Sequence, residues 1–306
     1  MTTSFRDPVQ QPRGLLSVVA MLGAFGLFSG VVGCSFTVDA NRLQCSQTSD
    51  CTNKGAAFAD TVCKEGLCVG SVEDPKWSCG VPPVNSVPSY KLTMHLQDAV
   101  SSKPLAGIAA QLCRRLDVTC SEPSSAPVVS DSGGGVSLPI DAAFNGYVQL
   151  TDANAGSGAT RISPSLYFLT APTDGGDVNL PTVPLASPLA AAGIVYNATG
   201  TSWLDGRGIA LLNAFDCQKQ PAADISFSVG GTPDPTSFVF YLVNSLPTTD
   251  TTGTDATGYG GLANAAPGVS TITATLGSSG RKVSTISVLI RAGYISYSSV
   301  TPNSSM

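Results

Sequence analysis

Four cysteines within a short polar stretch place the strongest constraint on what this chain can fold into. They follow the spacing Cys45-x5-Cys51-x11-Cys63-x4-Cys68, with few large apolar residues between them. Such a segment cannot bury enough apolar surface to hold a shape, so it needs cross-links. Zinc is a poor fit, because there is no Cys-x2-Cys knuckle and the only histidine, His95, lies elsewhere. The stretch therefore predicts disulfides, which form in an oxidising compartment.

The first cysteine of the chain stands apart from the others. Cys34 ends an uncharged apolar segment, residues 14–33, that follows a short head carrying Arg6 and Arg13. A basic head, an apolar stretch and small residues before the cut are typical of an export signal. Val31-Val32-Gly33-Cys34 resembles the lipobox of bacterial lipoproteins, a family in which the signal peptide is removed and the cysteine is acylated. The resemblance implies lipidation at Cys34 and an exported protein held on a membrane by its lipid.

Two alternatives to lipidation remain open. Residues 14–33 are about long enough to span a bilayer as a retained helix, although four glycines weaken a helix that stands alone in lipid. A cleaved signal without a lipid is the second alternative. Ser35 stands where some lipoproteins carry the aspartate that keeps them in the inner membrane. The resemblance therefore favours the outer membrane.

Setting Cys34 aside leaves an even number of cysteines, which an exported chain is expected to join in pairs. The disulfide candidates are Cys45, Cys51, Cys63, Cys68, Cys79, Cys113, Cys120 and Cys217. The spacing does not decide among the possible pairings of the N-terminal cluster, and Cys45–Cys63 with Cys51–Cys68 is our working choice. Cys113 and Cys120 are expected to close a local loop between two strands. Cys79 and Cys217 then pair by elimination.

The composition favours short strands joined by turns and narrows the class of partner. Only 12% of the residues are charged, while the chain contains 32 glycines and 21 prolines. The net charge of −5, without clusters of Lys or Arg, argues against nucleic acid. Envelope proteins or glycans are the expected partners.

Strand signals begin after the cysteine-rich stretch. Tyr90, Leu92, Met94 and Leu96 alternate with polar residues, as in a strand with one buried face. Further strands are expected at 105–113, 136–140, 146–150, 166–169, 209–215, 225–229, 238–243, 269–276, 283–290 and 294–297. Asp131 opens a glycine-rich turn. Between the two groups of strands one short helix is expected, with Ser187 as N-cap and Pro188 at its first position.

These signals are similar to the carboxypeptidase-regulatory-like domain. The first group carries Pro-Leu-Ala-Gly at 104–107, an Asp-x-Gly turn at 131–133 and Gly-Tyr-Val-Gln-Leu at 146–150. The second group offers Pro221-Ala222-Ala223, residues 254–258 and Ala266-Pro267-Gly268 at matching places. The resemblance implies an all-β chain of two tandem prealbumin-like or Ig-like β-sandwiches. It also implies a spacer, docking module or carbohydrate-binding accessory without catalytic residues.

The expected layout has five parts. They are a signal peptide (1–33), a lipidation site with a cysteine-rich module (34–80), a first sandwich (81–185), a linker with a short helix (186–204) and a second sandwich (205–301).

Residues with reactive side chains are too scattered to predict catalysis. His95 alternates onto the outer face of its strand, and no Gly-x-Ser-x-Gly elbow accompanies it. Ser279 and Lys282 have the spacing of a lysine-based hydrolase, but they fall in a glycine turn that reads as a hairpin. Asp152 and Asn154 offer oxygen ligands for calcium, although a polar loop between strands is the better interpretation.

Two further residues are candidates for special roles. Lys91 invites comparison with the Lys–Asn cross-links of some bacterial surface sandwiches, but it alternates onto the polar face. Trp203 is a weak candidate for stacking on a sugar, and packing is the better interpretation.

The sequence thus predicts a non-catalytic, lipid-anchored, exported protein with a structural or protein-interaction role. The alternative is an accessory module that binds cell-surface or environmental polysaccharide. No catalytic residue, cofactor or metal is expected.

Overall fold

The computed structural model describes residues 43–55, 58, 61–70, 76–77, 79, 88–154, 161–169, 176–231 and 234–302. The predicted signal peptide and the predicted lipidation site, Cys34, lie outside the described residues. Across those described ranges, neither helix combines the length and the apolar character that crossing a bilayer requires.

The cysteine cluster folds into one short helix and a hairpin: α1 (Thr48–Thr52), β1 (Thr61–Lys64) and β2 (Leu67–Gly70). The helix begins after Gln47, and the Asp50 carboxylate accepts the backbone N–H groups of Ser46 at 2.7 Å and Gln47 at 3.1 Å. These bonds lower the pKa of Asp50 to about 2. The sequence does not predict α1, because a helix this short shows no repeating apolar pattern.

Disulfides replace an apolar core in this module. Cys45–Cys63 and Cys51–Cys68 join the helical side to the hairpin, in which Cys63 lies opposite Cys68. Cys45 is 5% exposed and Cys51 is fully buried. The two bonds are those of our working choice.

Seven strands form the first sandwich: β3 (Ser89–Asp98), β4 (Ile108–Arg114), β5 (Val128–Val129), β6 (Gly135–Asp141), β7 (Gly146–Asp152), β8 (Ser165–Phe168) and β9 (Val178–Leu185). β3 lies between β6 and β9 in a three-stranded sheet. The predicted alternation is confirmed, since Tyr90, Leu92, Met94 and Leu96 are all buried in the core of this sandwich.

The predicted turn at Asp131 connects β5 to β6. Its carboxylate accepts the backbone N–H groups of Gly133 and Gly135, each at 2.8 Å. Gly134 has a φ of 77°, and a Cβ there would approach the Leu96 carbonyl oxygen to 2.3 Å. The turn therefore requires glycine both for its backbone conformation and for the close approach of β3.

Eight strands form the second sandwich: β10 (Gly208–Ala214), β11 (Ile225–Val229), β12 (Phe238–Val243), β13 (Leu246–Thr248), β14 (Tyr259–Ala265), β15 (Gly268–Leu276), β16 (Arg281–Ile290) and β17 (Ile295–Val300). β11, β15 and β16 make a three-stranded sheet. Together with the first sandwich, these strands confirm the predicted all-β fold.

The two sandwiches are not separate domains, because they share one nine-stranded sheet. Its order is β13-β12-β14-β10-β17-β8-β7-β4-β5. β17 pairs in parallel with β10 of its own sandwich and in parallel with β8 of the first. The tandem arrangement expected from the sequence is thus refined into a continuous sheet.

The shared sheet is covered on both faces. Ile295 and Tyr297 of β17 point towards the first core and the second helix. The alternate residue Val300 points towards the second core, which the sheet of β11, β15 and β16 closes on the other side. The molecule therefore has three layers across the junction.

The second helix, α2 (Pro188–Thr199), covers the shared sheet beside β12 and β13. The Ser187 hydroxyl accepts the Ala190 N–H at 3.2 Å, and Pro188 occupies the first turn, as predicted. Gly200 ends the helix with a φ of 68°. Its inner side is formed by Ala191, Val195 and Ala198.

Four of the edge strands carry features that disfavour strand addition. Prolines interrupt three of the edge strands, at Pro139 in β6, Pro184 in β9 and Pro247 in β13. On β11 the outward N–H of Phe227 instead donates to the Tyr241 hydroxyl at 2.9 Å. Self-assembly through strand pairing is therefore disfavoured at these edges.

Candidate functional sites

The segment after the cysteine module is fastened to the second sandwich. Cys79 is bonded to Cys217 with a Cα–Cα distance of 5.1 Å, and the Cys217 N–H donates to the Lys76 carbonyl at 2.8 Å. Trp77 packs against the second core, and its carbonyl accepts the Arg281 guanidinium at 3.4 Å. The pair assigned by elimination is present, and the packing of Trp77 adds a second attachment of this segment to the second sandwich.

The loop closed by Cys113–Cys120 is held rigidly from within. The Asp117 carboxylate accepts the N–H groups of Glu122 at 2.8 Å and Ser121 at 3.0 Å. These backbone bonds lower the pKa of Asp117 to about 2, with Glu122 the largest cause. The loop is therefore a fixed feature of the surface.

Arg291 joins this loop to the second sandwich. Its guanidinium donates to the Val118 carbonyl, to the Tyr147 hydroxyl and, at 2.5 Å, to Gln149 Oε1. It lies 5.4 Å from the ring centre of Tyr147 and 5.3 Å from that of Tyr294. Tyr147 is fully buried, and burial raises its pKa while the arginine opposes that rise. No pattern in the sequence predicts these contacts of Arg291.

The calcium alternative at Asp152 is replaced by an ion pair. Each carboxylate oxygen accepts two N–H groups, from Asn154 and Arg161 on Oδ1 and twice from Arg161 on Oδ2. The Asp152 side chain is 1% exposed, and the arginine beside it lowers its pKa to about 2. The guanidinium occupies the place a cation would take, so the polar-loop interpretation is the one the structure supports.

The candidate catalytic side chains are not assembled into a site. His95 is half-buried on the outer face of β3, opposite Gly135. In the described ranges, no carboxylate forms a hydrogen bond or ion pair with it. Ser279 lies in the turn between β15 and β16, where its hydroxyl accepts the Arg281 N–H at 3.2 Å, as expected for a hairpin.

The remaining candidates have structural surroundings. Trp203 packs beneath α2 and donates its indole N–H to the Arg207 carbonyl at 3.1 Å. Lys91 is exposed on the outer face of β3, whereas a cross-linking lysine is needed inside the core. Three cysteine sulfurs of the N-terminal module lie within 4.8 Å of one another, but they belong to the two disulfides and are not free to bind metal.

Comparisons with known proteins return only distant likenesses. No protein-family model and no curated protein matches the chain, so the carboxypeptidase-regulatory-like resemblance stays a prediction. Among solved structures, the TIE protein of Bacillus anthracis is 10% identical with a TM-score of 0.23, over 71% of this chain and 34% of that one.

Two pilins are similarly distant. The shaft pilin SpaA from Lactobacillus rhamnosus GG is 12% identical with a TM-score of 0.22, over 72% of this chain and 99% of the pilin. The minor pilin GBS52 of Streptococcus agalactiae is 13% identical with a TM-score of 0.23, over 70% and 95% of the two chains. Likenesses at this level carry no argument about the function of this chain.

Proposed function

We propose that this chain is an exported lipoprotein, anchored through an acyl group on Cys34, with a structural or protein-interaction role at the outer membrane. The observation that carries the proposal is the continuous sheet that joins the two sandwiches, with the segment at Cys79 bonded to it. The Cys79–Cys217 bond fastens this segment to the second sandwich, and β17 continues that sandwich's sheet into the first.

This construction suits a spacer better than a mobile tether. A chain of independent domains would swing at each linker, whereas a shared sheet transmits orientation from one sandwich to the next. The Arg291 junction adds a second connection between the sandwiches, through three hydrogen bonds to the first of them. A surface carried on one sandwich therefore keeps a fixed direction relative to the other sandwich.

The anchor is tested by Cys34→Ala, with Ser35→Ala as the matched control. We expect the first variant to leave the membrane fraction or to stay unprocessed, while the control remains processed and membrane-bound. The measurements are membrane fractionation and the intact mass of the protein from its native host. Processing and membrane retention unchanged in Cys34→Ala would contradict the proposal.

A further inference from the structure

The point at which the chain enters the cysteine module is fixed by hydrogen bonds. The Gln44 N–H donates to the Gly66 carbonyl at 2.5 Å, and the Gln44 side-chain oxygen accepts the Cys68 N–H at 3.2 Å. Gly66 lies in the turn between β1 and β2. The segment that leads from the proposed acylation site at Cys34 therefore joins the module at its hairpin turn, and only residues 35–43 lie between them.

The length of this segment limits how far the hairpin turn can lie from an acyl group on Cys34. A fully extended chain covers at most about 35 Å between Cys34 and Gln44. A short tether gives the module an effective concentration on the order of millimolar against the lipid that holds it. Even a weak contact with that lipid is then occupied.

The side chains around the hairpin turn suit an anionic lipid surface. Lys54 donates its ammonium to the Gln44 carbonyl at 2.7 Å, which holds one positive charge at the entry point. Lys64 is exposed and lies opposite Leu67 in the hairpin, so the two side chains are neighbours, and Leu67 is 46% exposed. In the described part of the chain, neither lysine forms an ion pair. We call Lys54, Lys64 and Leu67 the hairpin face.

The acidic groups near the hairpin face do not cancel its charge. Glu65 is exposed in the turn, whereas the Asp50 carboxylate is held by the backbone N–H groups of Ser46 and Gln47. The chain as a whole has a net charge of −5, so an anionic surface repels most of it and attracts it only locally. An apolar side chain beside lysines is the arrangement expected at a lipid interface, where the ammonium groups stay among the phosphates.

We propose that the hairpin face rests on the anionic phospholipid surface into which the acyl group on Cys34 is inserted. The ammonium groups of Lys54 and Lys64 lie against lipid phosphates, and Leu67 lies between the headgroups. The inference rests on the proposed function, since acylation of Cys34 is what brings this face to lipid. It adds that the module contacts the membrane directly instead of being held away from it by residues 35–43.

The experiment places a tryptophan in the hairpin face. The full chain from its native host is reconstituted into vesicles of phosphatidylethanolamine and phosphatidylglycerol with brominated acyl chains, as wild type, as Leu67→Trp and as the matched control Val269→Trp. Val269 lies on β15 of the second sandwich and is 65% exposed. Bromine is expected to reduce the fluorescence added by Leu67→Trp about twofold or more and to leave that added by Val269→Trp unchanged.

A change of charge tests the role of the lysines. Lys64→Glu, added to Leu67→Trp, is expected to weaken the quenching, whereas Lys103→Glu in the same background is the control with an exposed lysine of the first sandwich. Replacement of phosphatidylglycerol by phosphatidylcholine should weaken it in the same way. Quenching that neither change alters would overturn the assignment of the lysines to lipid phosphates.

The intact mass of the reconstituted chain separates failure of this inference from failure of the proposed function. An acylated chain in which Leu67→Trp is quenched no more than Val269→Trp overturns the inference and leaves the anchor standing. A chain without an acyl group overturns the anchor, and absence of quenching in the same vesicles then overturns the contact as well. Leu67→Trp emission that is already blue-shifted without lipid or detergent in Cys34→Ala also overturns the contact, because another part of the chain would then cover the face. Lys64→Trp replaces Leu67→Trp if the latter does not form both disulfides of the module.

Discussion

Removal of the Cys79–Cys217 bond offers the sharpest test of how the molecule is held together. The bond closes a loop with a sequence separation of 138, whereas Cys113–Cys120 closes one of 7. Loop-closure entropy gives about 5 kcal/mol for the long loop and about 2.5 kcal/mol for the short one. The pair Cys79→Ala with Cys217→Ala should therefore lose roughly 2.5 kcal/mol more unfolding free energy than Cys113→Ala with Cys120→Ala.

The burial of Cys113 reduces the expected difference in unfolding free energy between the two double variants. Cys113 is fully buried, so trimming its side chain adds a cost of about 1 kcal/mol that has nothing to do with loop closure. A difference of about 1.5 kcal/mol should remain. Urea unfolding measures it, and the free energies rather than the midpoints are compared, because opening a loop enlarges the unfolded chain and steepens the transition.

The outcome discriminates between two explanations of stability. Equal losses in the two double variants, or a larger loss for the short loop, would refute the entropic reasoning. The bond would then act through native contacts such as the packing of Trp77 against the second core. Fluorescence of the tryptophans in the long-loop variant reports whether that packing persists.

Two further predictions concern single side chains. Arg161→Gln should cost about 1 kcal/mol at about pH 6, because the arginine is 41% exposed and solvent weakens its hold on Asp152. The carboxylate has a pKa lowered to about 2, so its stabilisation is complete above about pH 4 and is lost as the pH falls towards about 2. Urea unfolding at both ends of this pH range should show a smaller loss in the variant, in which only the backbone N–H groups of residues 154 and 161 still donate to the carboxylate; an equal loss in the variant and wild type would count against the prediction. Tyr241→Phe removes the partner of the buried Phe227 N–H, so we expect a loss of about 1–3 kcal/mol and faster amide exchange at that residue. Tyr196→Phe is the control with an exposed ring, and equal effects would contradict the edge-cap reasoning.

Local features of the fold were accessible from sequence because neighbouring residues determine them. The alternation of β3, the Ser187 cap of α2 and the hairpin turn at Ser279 all depend on residues within a few positions. β14 was missed because Gly260 and Gly261 interrupt the run of β-forming residues by which a strand is identified. A Cβ at Gly261 would approach the Ala210 carbonyl oxygen to 2.1 Å, so close strand packing requires the glycine.

Contacts between residues that are far apart in the sequence could not be predicted in the same way. Alternation identifies β17 as a strand but does not say that it lies between β10 and β8, since pairing partners are set by the whole sheet. The contacts of Arg291 could not be predicted from the sequence. Its partners Val118, Tyr147 and Gln149 are neutral groups that lie more than 140 positions earlier. At the candidate site around Asp152, the sequence did not show that the Arg161 side chain folds back onto the Asp152 carboxylate.

The position of β17 has a consequence for the order in which the molecule is completed. Residues 295–300 are the last strand of the described fold, yet they fill the middle of the sheet, pairing Ile295 with both Ile209 and Ser165. In a chain synthesised amino end first, β8 and β10 have no strand between them until residues 295–300 are made. A product truncated before β17 would therefore leave β8 and β10 with unpaired edges, which proteases and chaperones can recognise.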